Sequence, residues 1–294
     1  LPEAARAAYA AERFSPPPPP GVHPRVYFSP DDLPAIRASL KDTPAGRAAW
    51  RAIQLRAKWW TNDADAWKAA QDEAASEGYQ GLRFNLAQGP LANFLDGTYD
   101  DGAPFELFNT APLEAFRALI DEDEEGGQRM ATVGATMAAH YLDLLPGLPT
   151  DWQPLYQKVH SETLGLVYDF IHNFATDEQR DVMRQAIAAI TRDRHFATAG
   201  TQALPAFPAI SSNWLNVHTN LLPLTLSIEG EEGYDHDTYL RLVEGWKKWV
   251  HVAHSPVGAP FEGLAKSNFC AYYNVPLAKR GVELFATSSA YNFA

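Results

Sequence analysis

Leu166-Val167-Tyr168-Asp169-Phe170, followed by Thr176-Asp177-Glu178-Gln179-Arg180, is the stretch that predicts the fold. The first part belongs to a helical apolar pattern over residues 151–174. The second part is a capping box, in which threonine and glutamine side chains bind the free backbone amides of a helix start. The helix that follows has one apolar face, formed by Val182, Met183, Ala186, Ile187 and Ile190. The stretch therefore predicts a hairpin of two helices.

Further helical patterns lie on both sides of this hairpin. Ser29-Pro30-Asp31-Asp32 is typical of a helix start, with a serine cap, a proline in the first turn and acids after it. Further helices are predicted over about 43–60, 128–144 and 239–252. Another is predicted to start either at about Trp214 with a kink or near Leu222. The last is predicted from near Pro276 to 286–289. With no convincing strand pattern, roughly eight to ten helices predict an all-α fold of stacked hairpins or an α/α toroid.

Three segments do not follow the helical pattern. Residues 1–22 are predicted to be an N-terminal arm, whose proline run Pro16–Pro20 favours an extended spacer. Residues 61–110 have the least regular pattern, with aromatic side chains expected on loops that pack the frame or line a sugar groove. The acidic run Asp121–Glu125 lacks the ligand spacing of an EF-hand, so a solvated turn is predicted there.

Composition and charge exclude several classes of protein. The net charge is −12 and no run of Lys or Arg is present, which argues against nucleic acid and anionic membranes as partners. The apolar runs are too short to span a bilayer. Cys270 is the single cysteine, so an intrachain disulfide and a C-x-x-C motif are excluded. The first residues do not form a signal peptide, and we expect that a leader has been removed.

Four motifs, in this order, resemble those of heparinase II/III-like proteins. They are the N-terminal segment from His23 to Arg37, the hairpin stretch described above, an Asn-Trp motif at Asn213–Asn220, and Val257-Gly258-Ala259-Pro260-Phe261-Glu262-Gly263. The last motif resembles the Asp-Gly-Gly-Trp-Pro-Glu-Gly of the family. The resemblance covers most of residues 23–290, and the order and spacing of the motifs carry it.

The resemblance implies a fold and an activity. It implies an incomplete α/α toroid over residues 23–294, followed in the family by an antiparallel β-sandwich that this chain would end before. It implies a bacterial periplasmic or secreted polysaccharide lyase that acts on uronate-containing chains without an organic cofactor, with a homodimer possible. No cofactor is expected in the helical part, and a structural or assisting divalent metal in the β-sandwich domain stays an open alternative.

Two stretches are expected to supply the chemistry of such a lyase. The first is Ser212–Asn220 and the second is Gly258–Tyr273. β-Elimination needs a donor that neutralises the uronate carboxylate and a base that removes the C5 proton. The amides and imidazole in the first stretch offer the neutraliser, and the phenols and amine in the second offer the base. The predicted neutralisers are Asn213, Asn216 and His218. The predicted bases are Tyr273, Tyr272 and Lys266.

The spacing that the resemblance implies favours Tyr273 or Tyr272 as the base. The motif alignment instead places Lys266 where the family commonly has tyrosine. Trp214, Glu262, Arg83 and Asn85 are expected to contact substrate. Each of these residues also has a structural alternative, since an asparagine can cap a helix and a tryptophan or tyrosine can fill the core.

Other functions stay open at this point. A uronyl C5-epimerase would use the same proton abstraction. An (α/α) glycoside hydrolase would use Glu262 as its acid and needs a second carboxylate. A non-catalytic carbohydrate-binding domain is the remaining alternative. His251 and His254 are one helical turn apart, but no third ligand accompanies them, so no metal site is predicted.

Overall fold

The computed structural model describes residues 15–57, 64–78, 104–147, 161–192, 221–253 and 275–282. These residues form helices and turns and contain no strand, which confirms the all-α prediction for them. No helix within these ranges is both long and apolar enough to cross a membrane.

The helices are numbered in chain order. They are α1 (Leu33–Asp42), α2 (Pro44–Ala57), α3 (Ala64–Ser76), α4 (Pro104–Asp121), α5 (Glu124–Leu144), α6 (Ser161–Ile171), α7 (Asp177–Arg192), α8 (221–227), α9 (His236–Ala253) and α10 (275–279). Short 3₁₀ turns at Pro30–Asp32 and Leu145–Gly147 precede α1 and follow α5.

Two helical hairpins form the centre of the described fold. α4 and α5 are joined by Glu122 and Asp123, and α6 and α7 by residues 172–176. α4 packs on α6, α5 packs on both α6 and α7, and α2 packs on the outer side of α4. The predicted capping box is confirmed, because Thr176 Oγ1 accepts the Gln179 amide at 3.2 Å and Gln179 Oε1 accepts the Thr176 amide at 3.0 Å.

The acidic run at residues 121–125 differs from the prediction of a solvated turn. Asp123 is the N-cap of α5 and accepts the Gly126 amide at 3.0 Å, while Glu124 and Glu125 form the first turn. Carboxylates are stabilised at this end of a helix, where unpaired amides and the helix dipole carry partial positive charge. The run therefore starts a helix, and α5 begins four residues earlier than the apolar pattern predicted.

Two helices also occupy residues that were predicted to be irregular. α3 covers Ala64–Ser76, and α4 begins at Pro104, so Trp67 and Phe105 lie on helices rather than loops. α3 contains six alanines, and alanine has the strongest intrinsic helix preference. The expected apolar periodicity is weak in α3 because alanine supplies much of its buried face, as at Ala70 and Ala74.

The last described helix ends earlier than predicted. Gly281 adopts a left-handed conformation with φ of 67°, and its amide bonds to the Ala278 carbonyl at 3.0 Å. The Val282 amide bonds to the Leu277 carbonyl at 3.0 Å. This pair of bonds is a Schellman motif, which closes a helix at a glycine. α10 therefore ends at Lys279 instead of extending to 286–289.

α8 is buried against the α6–α7 hairpin. A Cβ atom added to Gly165 of α6 would lie 2.7 Å from the Leu224 Cα atom, so the backbones of α6 and α8 touch at this point. The α8 side chains that are fully or almost fully buried continue the core of the hairpins. They are Leu221, Leu222, Leu224 and Leu226.

We predict that Gly165→Ala lowers the free energy of unfolding by about 2–3 kcal/mol, because the new methyl group meets backbone that cannot move aside. Gly134→Ala is the matched control. Its Cβ would meet the Met183 Sδ atom at 2.6 Å, and a thioether can turn away. We expect it to cost less than about 1 kcal/mol. Equal urea denaturation midpoints for the two variants would contradict the close α6–α8 contact.

Candidate functional site

The residues predicted from the sequence to act in catalysis or substrate binding lie outside the described ranges. The structure therefore leaves their roles as predictions. They are Tyr273, Tyr272, His218, Lys266, Asn213, Asn216, Trp214, Glu262, Arg83 and Asn85.

The helices next to the two predicted stretches are described. The described part of α8 starts at residue 221, next in the chain to the first stretch, and the described part of α10 starts at 275, two residues after Tyr273. Arg280 follows α10 and Glu229 follows α8, and their side chains form an ion pair with an Arg280 Nη2–Glu229 Oε2 distance of 2.6 Å. This pair fastens together the two helices that follow the predicted stretches.

A buried group of polar side chains surrounds His23. Its ring lies fully buried between two carboxylates, with Nδ1 at 2.8 Å from Asp169 Oδ1 and Nε2 at 2.8 Å from Glu231 Oε1. These partners are 146 and 208 residues away in the chain. The contacts join the N-terminal segment, α6 and the turn after α8, and we call His23, Asp169, Glu231, Tyr168 and His172 the His23 cluster.

Asp169 fixes the N-terminal segment by three hydrogen bonds. Besides His23, its carboxylate accepts the Arg25 amide at 2.8 Å and the Val26 amide at 3.1 Å. Gly165, four residues before Asp169 and therefore on the same face of α6, is buried as well. The segment enters the cluster through a cis peptide bond between His23 and Pro24.

Glu231 is the second carboxylate of the cluster. Tyr168 donates its hydroxyl to Glu231 Oε2 at 2.6 Å, while His23 binds the other oxygen. Burial alone would raise the pKa of Glu231, but the hydrogen bonds from His23 and Tyr168 outweigh it and lower the pKa. Burial and the adjoining Glu231 carboxylate raise the pKa of Tyr168, so the phenol stays protonated.

The two histidines of the cluster have opposite protonation. Burial opposes charge on His23, but its hydrogen bonds to Asp169 and Glu231 prevail and raise its pKa. His172 stacks on His23, with ring centroids 4.0 Å apart and an angle of 18° between the planes. Burial, together with the charge on His23, lowers the pKa of His172 to about 4. A neutral imidazole therefore covers an imidazolium.

A second set of contacts holds the proline run beside the cluster. The Arg25 guanidinium donates to the carbonyls of Pro19 and Pro18 at 3.3 and 3.4 Å and lies 3.3 Å from Glu229 Oε2. Ser29 Oγ donates to the Pro16 carbonyl at 3.1 Å. The run predicted as a spacer is thus fastened to the body of the protein at its two ends.

The cluster does not fit the pair of carboxylates that a glycoside hydrolase needs. Such a pair flanks the scissile sugar bond, so substrate must reach the space between them. In this cluster the His23 ring fills the space between Asp169 and Glu231, and both His23 and Asp169 have fully buried side chains. The chemistry that the arrangement allows is charge pairing, proton exchange within the cluster, and ligation of a cation.

This cluster was not predicted from the sequence. The His23 segment and the Asp169 stretch carried a resemblance, but no chemistry was predicted for them. Glu231 and His172 had no predicted role. Among the described residues, His23, His172 and Glu231 are a group whose ligand atoms all lie within 4.8 Å of one another. The available signal was a histidine and an aspartate in two of the segments that carry the resemblance.

No family model matches this chain, and no curated protein matches it.

We predict that Asp169→Asn lowers the free energy of unfolding by about 3 kcal/mol or more, because it leaves a buried imidazolium with one carboxylate instead of two. Asp177→Asn is the control, since Asp177 is exposed and pairs with Arg180 on the surface of the same hairpin. We expect that change to cost less than about 1 kcal/mol. Urea denaturation in the presence of EDTA measures both.

The difference in unfolding free energy between wild type and Asp169→Asn should depend on pH in a defined direction. The pKa of His23 is raised above its ordinary value of 6.5, so its charged pairing stabilises the fold fully below pH 6.5 and is lost as pH rises through the raised pKa. The difference between wild type and Asp169→Asn should therefore shrink at alkaline pH. A difference that stays constant or grows would contradict an imidazolium at His23.

Proposed function

We propose that this chain is the helical catalytic part of a polysaccharide lyase, in which the hairpins form an incomplete α/α toroid. The substrate is a uronate-containing polysaccharide, cleaved by β-elimination. Asn213, Asn216 or His218 neutralises the carboxylate, and Tyr273, Tyr272 or Lys266 removes the C5 proton. Trp214, Glu262, Arg83 and Asn85 contact the sugar chain.

The Glu229–Arg280 ion pair is the observation that carries this proposal. The described part of α8 starts at residue 221, next in the chain after Asn220, and the described part of α10 starts at 275, two residues after Tyr273. Arg280 binds Glu229 through Nε and Nη2, at 3.0 and 2.6 Å from Oε2, so the contact is directional as well as charged. A neutraliser and a base that are far apart in the chain need such a connection between their supporting helices.

The contact between the N-terminal segment and α6 supports the resemblance independently. The segment from His23 to Val26 and the Tyr168-Asp169 pair belong to two of the four motifs, and Asp169 binds the segment at three atoms. The capping box of α7 continues the second motif. Residues that define the resemblance therefore contact one another, which is expected when such motifs maintain a common frame.

The chemistry follows from the residue types in the two stretches. Removal of the C5 proton places negative charge on the uronate carboxylate, and amide or imidazolium donors stabilise that charge in the transition state. A tyrosine can then act as base and as acid toward the leaving oxygen. A cationic neighbour would lower the pKa of the phenol toward the working pH.

The test is the ultraviolet absorbance of the conjugated uronate product during incubation with alginate, heparan sulfate, chondroitin sulfate and ulvan. We expect the band to grow on one of these polymers. Tyr273→Phe or Tyr272→Phe, whichever removes the base, should lower kcat by at least about 100-fold. Tyr234→Phe is the matched control, since Tyr234 lies in the described turn after α8 and is expected to keep the rate.

Each other result rejects a part of the proposal. New reducing ends without the absorbance band would indicate hydrolysis. Exchange of solvent deuterium into C5 without cleavage would indicate an epimerase. Unchanged rates in Tyr273→Phe, Tyr272→Phe and Lys266→Ala would show that the proposed bases are wrong. No reaction on any of the four polymers would contradict the lyase assignment for this chain.

A further inference from the structure

We propose that His23, His172 and Glu231 bind one divalent transition metal ion, with Zn²⁺ the best match, and that Asp169 supports the His23 ligand. Two imidazoles and a carboxylate are the donor set that Zn²⁺ accepts in proteins. The ion would fasten the N-terminal segment to α6 and to the turn after α8. None of these residues is among those proposed for catalysis.

The distances in the His23 cluster suit neighbouring metal ligands. His23 Nε2 and Glu231 Oε1 are 2.8 Å apart, and the ligand atoms of all three residues lie within 4.8 Å of one another. Ligand atoms at about 2.0–2.2 Å from a tetrahedral Zn²⁺ are separated by about 3.4 Å. An ion can therefore enter between His23 and Glu231 with a movement of less than about 1 Å of either side chain.

The far side of the His23 ring already has the partner that metal-bound histidines usually have. Its Nδ1 atom lies 2.8 Å from Asp169 Oδ1. This carboxylate keeps a proton on Nδ1, so Nε2 is the nitrogen left to bind a metal. Asp169 is itself held by the Arg25 and Val26 amides, which fixes the direction of the ring. His23 is therefore supported by a carboxylate that is buried and held in place. This distinguishes the group from acidic side chains that are only close together on a surface.

The charge of the cluster also favours a divalent ion. The carboxylates of Asp169 and Glu231 each lie 2.8 Å from a nitrogen of the His23 ring. A divalent cation between His23 Nε2 and Glu231 Oε1 would be attracted by both carboxylates, and this attraction is strong where water is excluded.

His172 must move for the site to close. Its ring is stacked on His23 with centroids 4.0 Å apart, whereas two imidazoles on one tetrahedral ion have centroids about 5 Å apart and planes that are not stacked. His172 lies directly after the last residue of α6 and is half-buried, so it is less constrained than His23. The Tyr168 hydroxyl stays on Glu231 Oε2, which leaves the fourth position of the ion to water.

Titration of the metal-stripped, tag-free protein with Zn²⁺ tests this proposal. We expect one ion per chain in calorimetry and a higher Tm with Zn²⁺ than with EDTA. Co²⁺ in place of Zn²⁺ should give the visible absorption of a tetrahedral site. These readouts do not depend on enzymatic activity.

His172→Gln is the decisive variant because His172 is only half-buried, whereas His23 is fully buried. It should weaken Zn²⁺ binding by more than about 100-fold, which is more than the loss of a residue that only supports a ligand would cause. Glu231→Gln should do the same, and His236→Gln, which changes an exposed histidine outside the cluster, should bind like wild type. Circular dichroism confirms that each variant is folded.

Two results would overturn the proposal. One is failure of the folded wild-type protein to bind Zn²⁺ with one-to-one stoichiometry. The other is binding that is unchanged in both His172→Gln and Glu231→Gln, which would place the ion elsewhere. Either result would leave the His23 cluster as a network of ion pairs and would not bear on the lyase assay.

Discussion

The described fold depends on a buried imidazolium between two carboxylates. Removing a charge of this kind from water costs several kcal/mol, and the cost is offset only when good hydrogen bonds replace the lost solvent. His23 has one such bond at each ring nitrogen, and Asp169 adds two bonds to the backbone beside it. The N-terminal segment is therefore held by directional contacts in addition to the apolar burial of Val26.

The helices could be predicted from the sequence because their signals are local. Thr176 and Gln179 are three residues apart, and the apolar face of α7 repeats every three or four residues, so both are visible in a short window. Prediction from local sequence was wrong where the same residues suit two kinds of local structure. Asp123 and its acidic neighbours suit a solvated turn, but they also suit a helix N-terminus, and the amide of Gly126 decides between the two.

The His23 cluster could not be predicted in the same way, because its contacts cross 146 and 208 residues. The sequence around Glu231 and His172 does not distinguish either of them from a surface residue. The close approach of Gly165 to Leu224 likewise becomes apparent only once the helices are packed. The catalytic residues predicted from the two motif stretches stay predictions. The Glu229–Arg280 pair connects the ends of α8 and α10, which are near those stretches in the chain.

A double-mutant cycle on His23 and Glu231 tests the central claim most directly. The free energy of unfolding is measured for wild type, His23→Ala, Glu231→Ala and the double variant, in EDTA at pH 6. If the buried pair fastens the N-terminal segment to the turn after α8, the coupling energy should be at least about 1.5 kcal/mol. The result that would contradict the account is a sum of the two single-variant losses in unfolding free energy that lies within about 0.5 kcal/mol of the loss in the double variant.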